Sequence, residues 1–279
     1  MKLFANWNLK KILRSVLRIF LVAAFLVTVG FADSKRKESV CADLEIIIHD
    51  SSGSAFIERS DVVQMVQDKF GEPVGKPLSS INMALLEKII NGNAFVARAE
   101  VFSTVDGKLT IEVIQRNPVL RIINNSNESF YIDDQGVFMP LSDKYTANVT
   151  VANGLIPNTF AEKKIRTFIP EEADDTTNHL TLLEKLYSLN TYITGHEFWN
   201  AQVEQIYINS DLEIELVPRA GNHIIIFGDL HGGKAGEENM DEKFNKLFHF
   251  YSEGLNRTGW NQYKTINIKF KDQVVCTKK

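Results

Sequence analysis

The sequence has only two cysteines, Cys41 and Cys276, set near opposite ends of the portion that follows an N-terminal apolar segment. Two thiols so placed do not make a disulfide framework, and both are expected to be free. Clustered positive charge is also scarce: the formal net charge is -4, and no long run of Lys and Arg stands outside the first twenty residues. Nothing in that balance draws the chain to nucleic acid. Absent too are a Gly-rich phosphate loop, a Gly-x-Ser-x-Gly elbow, and a Cys set beside a His and a helix start. The common nucleotide-binding and nucleophilic-hydrolase patterns are therefore missing. What remains is a chain of 279 residues, 44% hydrophobic and 24% charged, enough for one large or two small folded domains.

Apolar residues concentrate once, at Ile19 to Phe31, "IFLVAAFLVTVGF". Thirteen residues are short for a bilayer. Counting from Ile12 to Ala32, with Arg14 and Arg18 reaching back to the headgroups, gives roughly the 20 residues that a spanning helix needs. Lys2, Lys10, Lys11, Arg14 and Arg18 before the apolar run, against Lys35, Arg36 and Lys37 after it, favour a cytoplasmic tail over residues 1–11 and a single transmembrane helix over residues 12–32. A cleaved signal peptide is the rival reading, since Gly30 and Ala32 are small residues at cleavage spacing before Asp33. Either way residues 38–279 face away from the cytoplasm.

Beyond Cys41 the pattern becomes regular. "DLEIIIHD" (43–50) reads as a strand. "ERSDVVQMVQDKFG" reads as a helix with Ser60 as N-cap, an apolar stripe of Val62, Val63, Val66 and Phe70, and Gly71 at its end. "INMALLEKIINGN" predicts a second helix with Ile81, Leu85, Ile89 and Ile90 along one face and Gly92 after it. "FVARAEVFST" and "KLTIEVIQR" form a hairpin around Asp106-Gly107, with Leu109, Ile111 and Val113 on one side. Pro118 marks a boundary, because proline does not extend a central strand. The strand-rich remainder, "VLRIINNS", "ESFYIDDQGVFMPL", "NVTVANG", "VEQIYINS", "LEIELVPR" and "HIIIFG", is interrupted by helical stretches at 180–193 and 240–255. It closes on "YKTINIKFKDQVVC", read as one half-buried edge strand in which Ile266, Ile268 and Phe270 alternate with Asn267, Lys269 and Lys271. The fold class is α+β.

One stretch suggests chemistry. In "IIIFGDLHGG" (224–233) a strand that reads as buried delivers Asp229 and His231, the way a metallophosphoesterase presents metal ligands. Such an enzyme needs two cations held by Asp, His and Asn from several successive strands. Here "GNH" at Gly221 precedes "GDLHG", the reverse of the required order, and His49, His179, His196, His223 and His249 are scattered. The stretch therefore reads as a strand followed by a turn and a loop, with no metal or cofactor site. The acid pairs Asp133-Asp134 and Glu171-Glu172 point to opposite faces of a strand or lie in a solvated loop. Asn124, Asn148 and Asn256 match the glycosylation sequon by chance.

The whole arrangement resembles the bacterial cell-division family FtsQ, called DivIB in other lineages. The residues that carry the likeness are the basic tail and single span, the strand-helix-helix-strand-strand module, "IEVIQRNPVLRI" (111–122) followed by "YIDDQGVFMPL" (131–141), and the closing "INIKFKDQVV". The resemblance implies a POTRA domain at 42–117 and a β domain at 118–276 with a C-terminal partner-binding strand. It implies a non-enzymatic divisome scaffold of the cell inner membrane, single-pass type II with the bulk periplasmic, located at the division septum. By the same resemblance FtsB and FtsL dock by strand addition to the last β-strand, and other divisome proteins meet the POTRA domain. The partner-binding residues so implied are Ile266, Ile268, Lys269, Phe270, Lys271, Asp272 and Val274, with Phe270 where the family often has Tyr. The Ser-Gly pair of some members is Asp272-Gln273 here, and the final tryptophan is absent. An edge strand offers unpaired N–H and C=O groups to an incoming strand, and Lys269 and Lys271 would favour an acidic one. The alternatives are a metallophosphoesterase-like hydrolase using Asp229 and His231, and another POTRA-containing envelope assembly protein. The latter would need many more alternating strands for a barrel, or a visible POTRA repeat.

Overall fold

The computed structural model describes residues 14, 16–25, 40–50, 53, 55–104, 106–162, 181–230 and 233–279. Arg14 and residues 16–25 are helical, and no helix among the described residues is long and apolar enough to cross a membrane. The cytoplasmic tail expected at 1–11, and residues 12, 13, 15 and 26–32 of the span expected at 12–32, lie outside the described residues. The chain divides into two compact units: residues 1–49 with 57–115, and residues 50–56 with 116–279.

In the first unit, strands β1 (Asp43–His49), β2 (Val96–Ser103) and β3 (Lys108–Gln115) accompany helices α1 (Arg59–Phe70) and α2 (Met83–Asn91). The sheet order is β1-β3-β2, with β1 parallel to β3 and β2 antiparallel to it. Leu109, Ile111 and Val113 of the central strand are buried against Val62 and Val66 of α1 and Leu86 and Ile90 of α2. The buried face of α2 differs from the one expected. Leu85 is exposed, and the inward positions are Leu86 and Ile90, four residues apart and joined by Ile81. The N-cap of α1 is Glu58 rather than Ser60, since the Glu58 amide donates to the Asp61 carboxylate in the first turn. Asn91 ends α2 and closes one sheet edge: its carboxamide accepts from the Ala99 amide at 2.8 Å and donates to the Ala99 carbonyl at 3.2 Å. A side chain thereby occupies the place where another strand would pair.

The second unit is a nine-stranded mixed sheet with helices over one face. Its strands are β4 (Pro118–Ile123), β5 (Ser129–Asp133), β6 (Phe138–Met139), β7 (Thr150–Gly154), β8 (Val203–Ile208), β9 (Ile214–Pro218), β10 (Ile224–Gly228), β11 (Tyr263–Asn267) and β12 (Val275–Lys278), in the order β12-β11-β10-β9-β8-β7-β4-β5-β6. Helix α3 (Leu182–Gly195) and the short α4 (Glu197–Gln202), not anticipated from sequence, connect the parallel pair β7 and β8. Helix α5 (Gly233–His249) connects the parallel pair β10 and β11 and widens into a π turn over Phe250–Leu255. Parallel neighbours need such crossovers, which is why the helices fall between these strands. Leu183, Leu186, Leu189 and Ile193 of α3, Trp199 of α4 and Met240, Phe244 and Leu247 of α5 share one core with Ile206, Leu216, Ile225, Phe227 and Ile266 of the sheet. The run Ile224 to Phe227 is not buried throughout: Ile225 and Phe227 face the core, while Ile224 is exposed.

Pro118 is itself the first residue of β4. Strand β4 lies inside the sheet, and proline is tolerated at its first position, where the β4–β5 register shifts before Leu120. The passages "QRNP" and "YIDDQG" meet here. Asp133, fully buried, accepts from Arg116 at 2.7 Å with one oxygen and from the amides of Gln135 and Val137 with the other. Removing the carboxylate leaves a largely buried guanidinium and two amides without their acceptor. Asp133→Ala is accordingly expected to destabilise this unit by about 3–5 kcal/mol, and Asp133→Asn by less. Urea unfolding followed by the fluorescence of Trp199 and Trp260 measures both.

Candidate functional site

The closing segment is a hairpin, not the single strand that its alternation suggests. Tyr263 to Asn267 pairs with β10 on one side and with β12 on the other, so both edges of β11 are filled. The alternation stops at Ile268, whose amide still donates to the Ile226 carbonyl at 3.0 Å. The chain then turns over Phe270, Lys271 and Asp272, and Asp272 takes a left-handed φ of 56°, which an Asp tolerates better than most residues. Among the described residues β12, residues 275–278, is therefore one terminal strand of the sheet, with β6 at the opposite end.

This redistributes the residues expected at the interface. Ile266 and Ile268 are both 0% exposed and hold the core, so neither can touch a partner. The Lys269 ammonium pairs with Glu213 at 3.0 Å and lies over the Phe270 ring, 5.4 Å from its centroid. Lys269 is thus already neutralised within the chain, while Lys271 and Asp272 are exposed on the turn. Phe270 is 41% exposed, and Val274 packs partly into the core. Sequence reasoning missed Val275, 45% exposed on the outer strand. On β12 it alternates with Cys276, which packs toward the core and whose thiol pKa is raised by burial. Neither cysteine is in a disulfide.

The "FGDLHG" stretch serves this same corner. Gly228 has a φ of +84°, and a Cβ there would sit 2.7 Å from the Lys269 Cβ, so only glycine lets the end of β10 approach the segment after β11 this closely. Asp229 is taken up by the fold: its carboxylate accepts from the Lys185 ammonium of α3 at 2.6 Å and from the Leu230 amide. Its carbonyl accepts from Lys243, a buried lysine of α5 that also donates to the Phe227 carbonyl and stands 4.3 Å from the Phe227 ring centre. Burial pushes the Lys243 pKa down to about 8. His231 lies outside the described residues, and among the described residues no group of three His, Cys, Asp or Glu is arranged to hold a metal.

Just before β10 sits His223, buried and within 2.9 Å of the Tyr251 hydroxyl through Nε2. Burial lowers its pKa, against the influence of the Trp260 carbonyl. Tyr251 in turn packs edge-on to Trp260 at 5.0 Å, just before β11.

Three strands flanked by two helices at one end, and a mixed sheet with a free terminal strand at the other, define a class. A family model described as a POTRA-like domain matches residues 39–114. The protein is therefore an α+β chain with a POTRA-like module and a β-rich C-terminal part. A second family model, FtsQ/DivIB, C-terminal related, matches residues 117–277, more than half of the chain. The chain belongs to the FtsQ/DivIB family, as the "QRNPVLRI" and "YIDDQGVFMPL" passages imply. A comparison with curated proteins finds no match. Membership associates the chain with the divisome at the septum, in a family whose domains are generally non-enzymatic scaffolds.

A pH dependence follows from His223. Its folded pKa is depressed, so above the unfolded value of about 6.5 both states are neutral and stability is flat. As pH falls below that value the unfolded chain takes up a proton first, and stability declines by at most ~1.4 kcal/mol per pH unit. The expected outcome is a wild-type loss as pH falls below about 6.5 that His223→Gln lacks, read from denaturation midpoints.

Proposed function

We propose that this protein is a non-enzymatic divisome scaffold that receives FtsB, together with FtsL, as an added strand on β12, and thereby helps coordinate septal peptidoglycan synthesis. The observation that carries this reading is the terminal position of β12, residues 275–278, whose outer edge no strand pairs among the described residues. An incoming strand would satisfy its N–H and C=O groups, with Phe270 and Val275 as exposed apolar contacts beside it. Lys264, Lys271, Lys278 and Lys279 are exposed around the hairpin and favour a partner segment carrying acidic side chains. The same lysines discourage pairing with an uncharged edge of another copy.

In this reading residues 1–11 are the cytoplasmic tail, 12–32 the transmembrane helix of a type II inner-membrane protein, 42–117 the POTRA domain and 118–276 the periplasmic β domain. Supporting the anchor, Val16, Leu17, Ile19, Phe20, Leu21, Val22 and Phe25 are all exposed, and beyond Arg18 the described helical residues 19–25 are apolar all round. The POTRA domain serves other divisome proteins. Removal of residues 1–38 is expected to move the chain from the membrane fraction to the soluble one, as immunoblotting of fractionated cells would register.

Deleting residues 265–279 is a poor test of docking, because it strips Ile266 and Ile268 from the core. Proline substitution is cleaner. In an antiparallel edge, alternate residues aim their amides at the neighbour and outward. Proline at Cys276, and separately at Val275 with Thr277, therefore covers both possibilities. One variant should stay folded by circular dichroism and yet fail to co-purify with FtsB and FtsL. Retained co-purification by the folded variant would contradict docking at β12.

A further inference from the structure

The turn that follows β11 is fixed from two directions by charged groups. From α5, the Lys246 ammonium donates to the Phe270 carbonyl, with its side chain mostly buried and Glu242 at 3.8 Å one turn earlier. From the connection between β8 and β9, Glu213 holds the Lys269 ammonium at 3.0 Å. The helix that carries Lys246 is itself seated on the sheet through Lys243, three residues earlier, whose ammonium binds the Phe227 and Asp229 carbonyls. Gly228 leaves the space for Lys269 to sit down. Of these contacts, those of Lys246 and Glu213 act directly at Phe270 and its neighbour Lys269, and the Phe270 ring itself remains 41% exposed. A short turn tied to the sheet at its start, where Ile268 is buried, and to a helix at its middle carbonyl is held in one geometry, although Phe270, Lys271 and Asp272 are themselves exposed.

We infer that Lys246 and Glu213 are positioning residues of the docking edge: they preset the turn at 268–272 so that Phe270 and the start of β12 stand ready for the incoming strand. This rests on the strand-docking reading of β12. Neither group needs to touch the partner. Their effect is to remove an ordering cost that association would otherwise carry, and such costs appear chiefly in the lifetime of a complex. Lys246 also explains why a carbonyl at an exposed turn is given a nearly buried cation: the charge-assisted bond is stronger than a water contact at the same place.

The test uses the full chain in detergent and the purified FtsB–FtsL pair, with association and dissociation followed by biolayer interferometry. Lys246→Ala is expected to weaken binding about tenfold, mostly through faster dissociation. Lys246→Arg, which keeps the donor, should restore most of that loss. Glu213→Gln should cost about threefold, and it carries the comparison alone if Lys246→Ala does not fold. Both losses should vanish in a Phe270→Ala background, a non-additivity that general loosening of the domain would not produce. If the β12 proline variants bind like wild type, the docking reading fails and this inference fails with it. If the prolines abolish binding while Lys246→Ala and Glu213→Gln bind like wild type, or their losses add to that of Phe270→Ala, docking stands and the positioning role is overturned.

Discussion

The way the large sheet ends is the constraint on which the rest turns. Strand β12 meets the domain only through β11, and β11 is secured by its parallel ladder to β10 and by Ile266 and Ile268 in the core. The last strand is thus well supported on one side and unpaired on the other. That combination is costly to leave open, since an exposed edge invites uncontrolled pairing, and proteins normally blunt it with charge, twist or cover. Here lysines flank it, and no strand pairs with it among the described residues. The opposite choice is made in the smaller sheet, where Asn91 fills the β2 edge at Ala99 with its own carboxamide. One edge is closed by a side chain, and the other is stiffened from behind and left open.

Much of this was legible in the sequence, for identifiable reasons. The period-two pattern of Leu109, Ile111 and Val113 and the turn at Asp106-Gly107 fix the small hairpin, and local signals of that kind survive folding unchanged. The Arg116–Asp133 bond gives the "QRNP" and "YIDDQG" passages a physical reason to occur together: the start of β4 and the end of β5, which lie opposite each other, are locked by one buried carboxylate. Misreadings arose where long-range packing outweighed pattern. Ile266, Ile268 and Phe270 alternate as in one strand, yet the left-handed Asp272 and the pairing of Ile266 with Cys276 turn the segment into a hairpin. Leu85 reads as core by spacing, but the sheet meets α2 one residue further round, at Leu86. Lys246 carries no sequence signal at all, because its role depends on a carbonyl that only the fold brings to it.

The apparent metal motif illustrates how a short pattern acquires its meaning. Gly228 is required by the close approach of Lys269, Asp229 by Lys185 and the Leu230 amide, and the strand before them by Ile225 and Phe227 in the core. Each residue of "FGD" is accounted for by packing of the corner on which β11 and β12 depend. Membership of the FtsQ/DivIB family agrees with that assignment, since scaffolds of this kind act through surfaces rather than reacting groups. A sequence pattern that suggests hydrolysis is, in the fold, part of the support for the terminal hairpin of β11 and β12.

Hydrogen–deuterium exchange on the full chain, alone and with FtsB and FtsL bound, tests the central claim most directly. The account predicts that new protection on binding falls on the amides of residues 274–278 and the turn at 270–272, while β11, already paired on both sides, changes little. Protection that appears elsewhere and leaves β12 exchanging as it does in the free protein would contradict it.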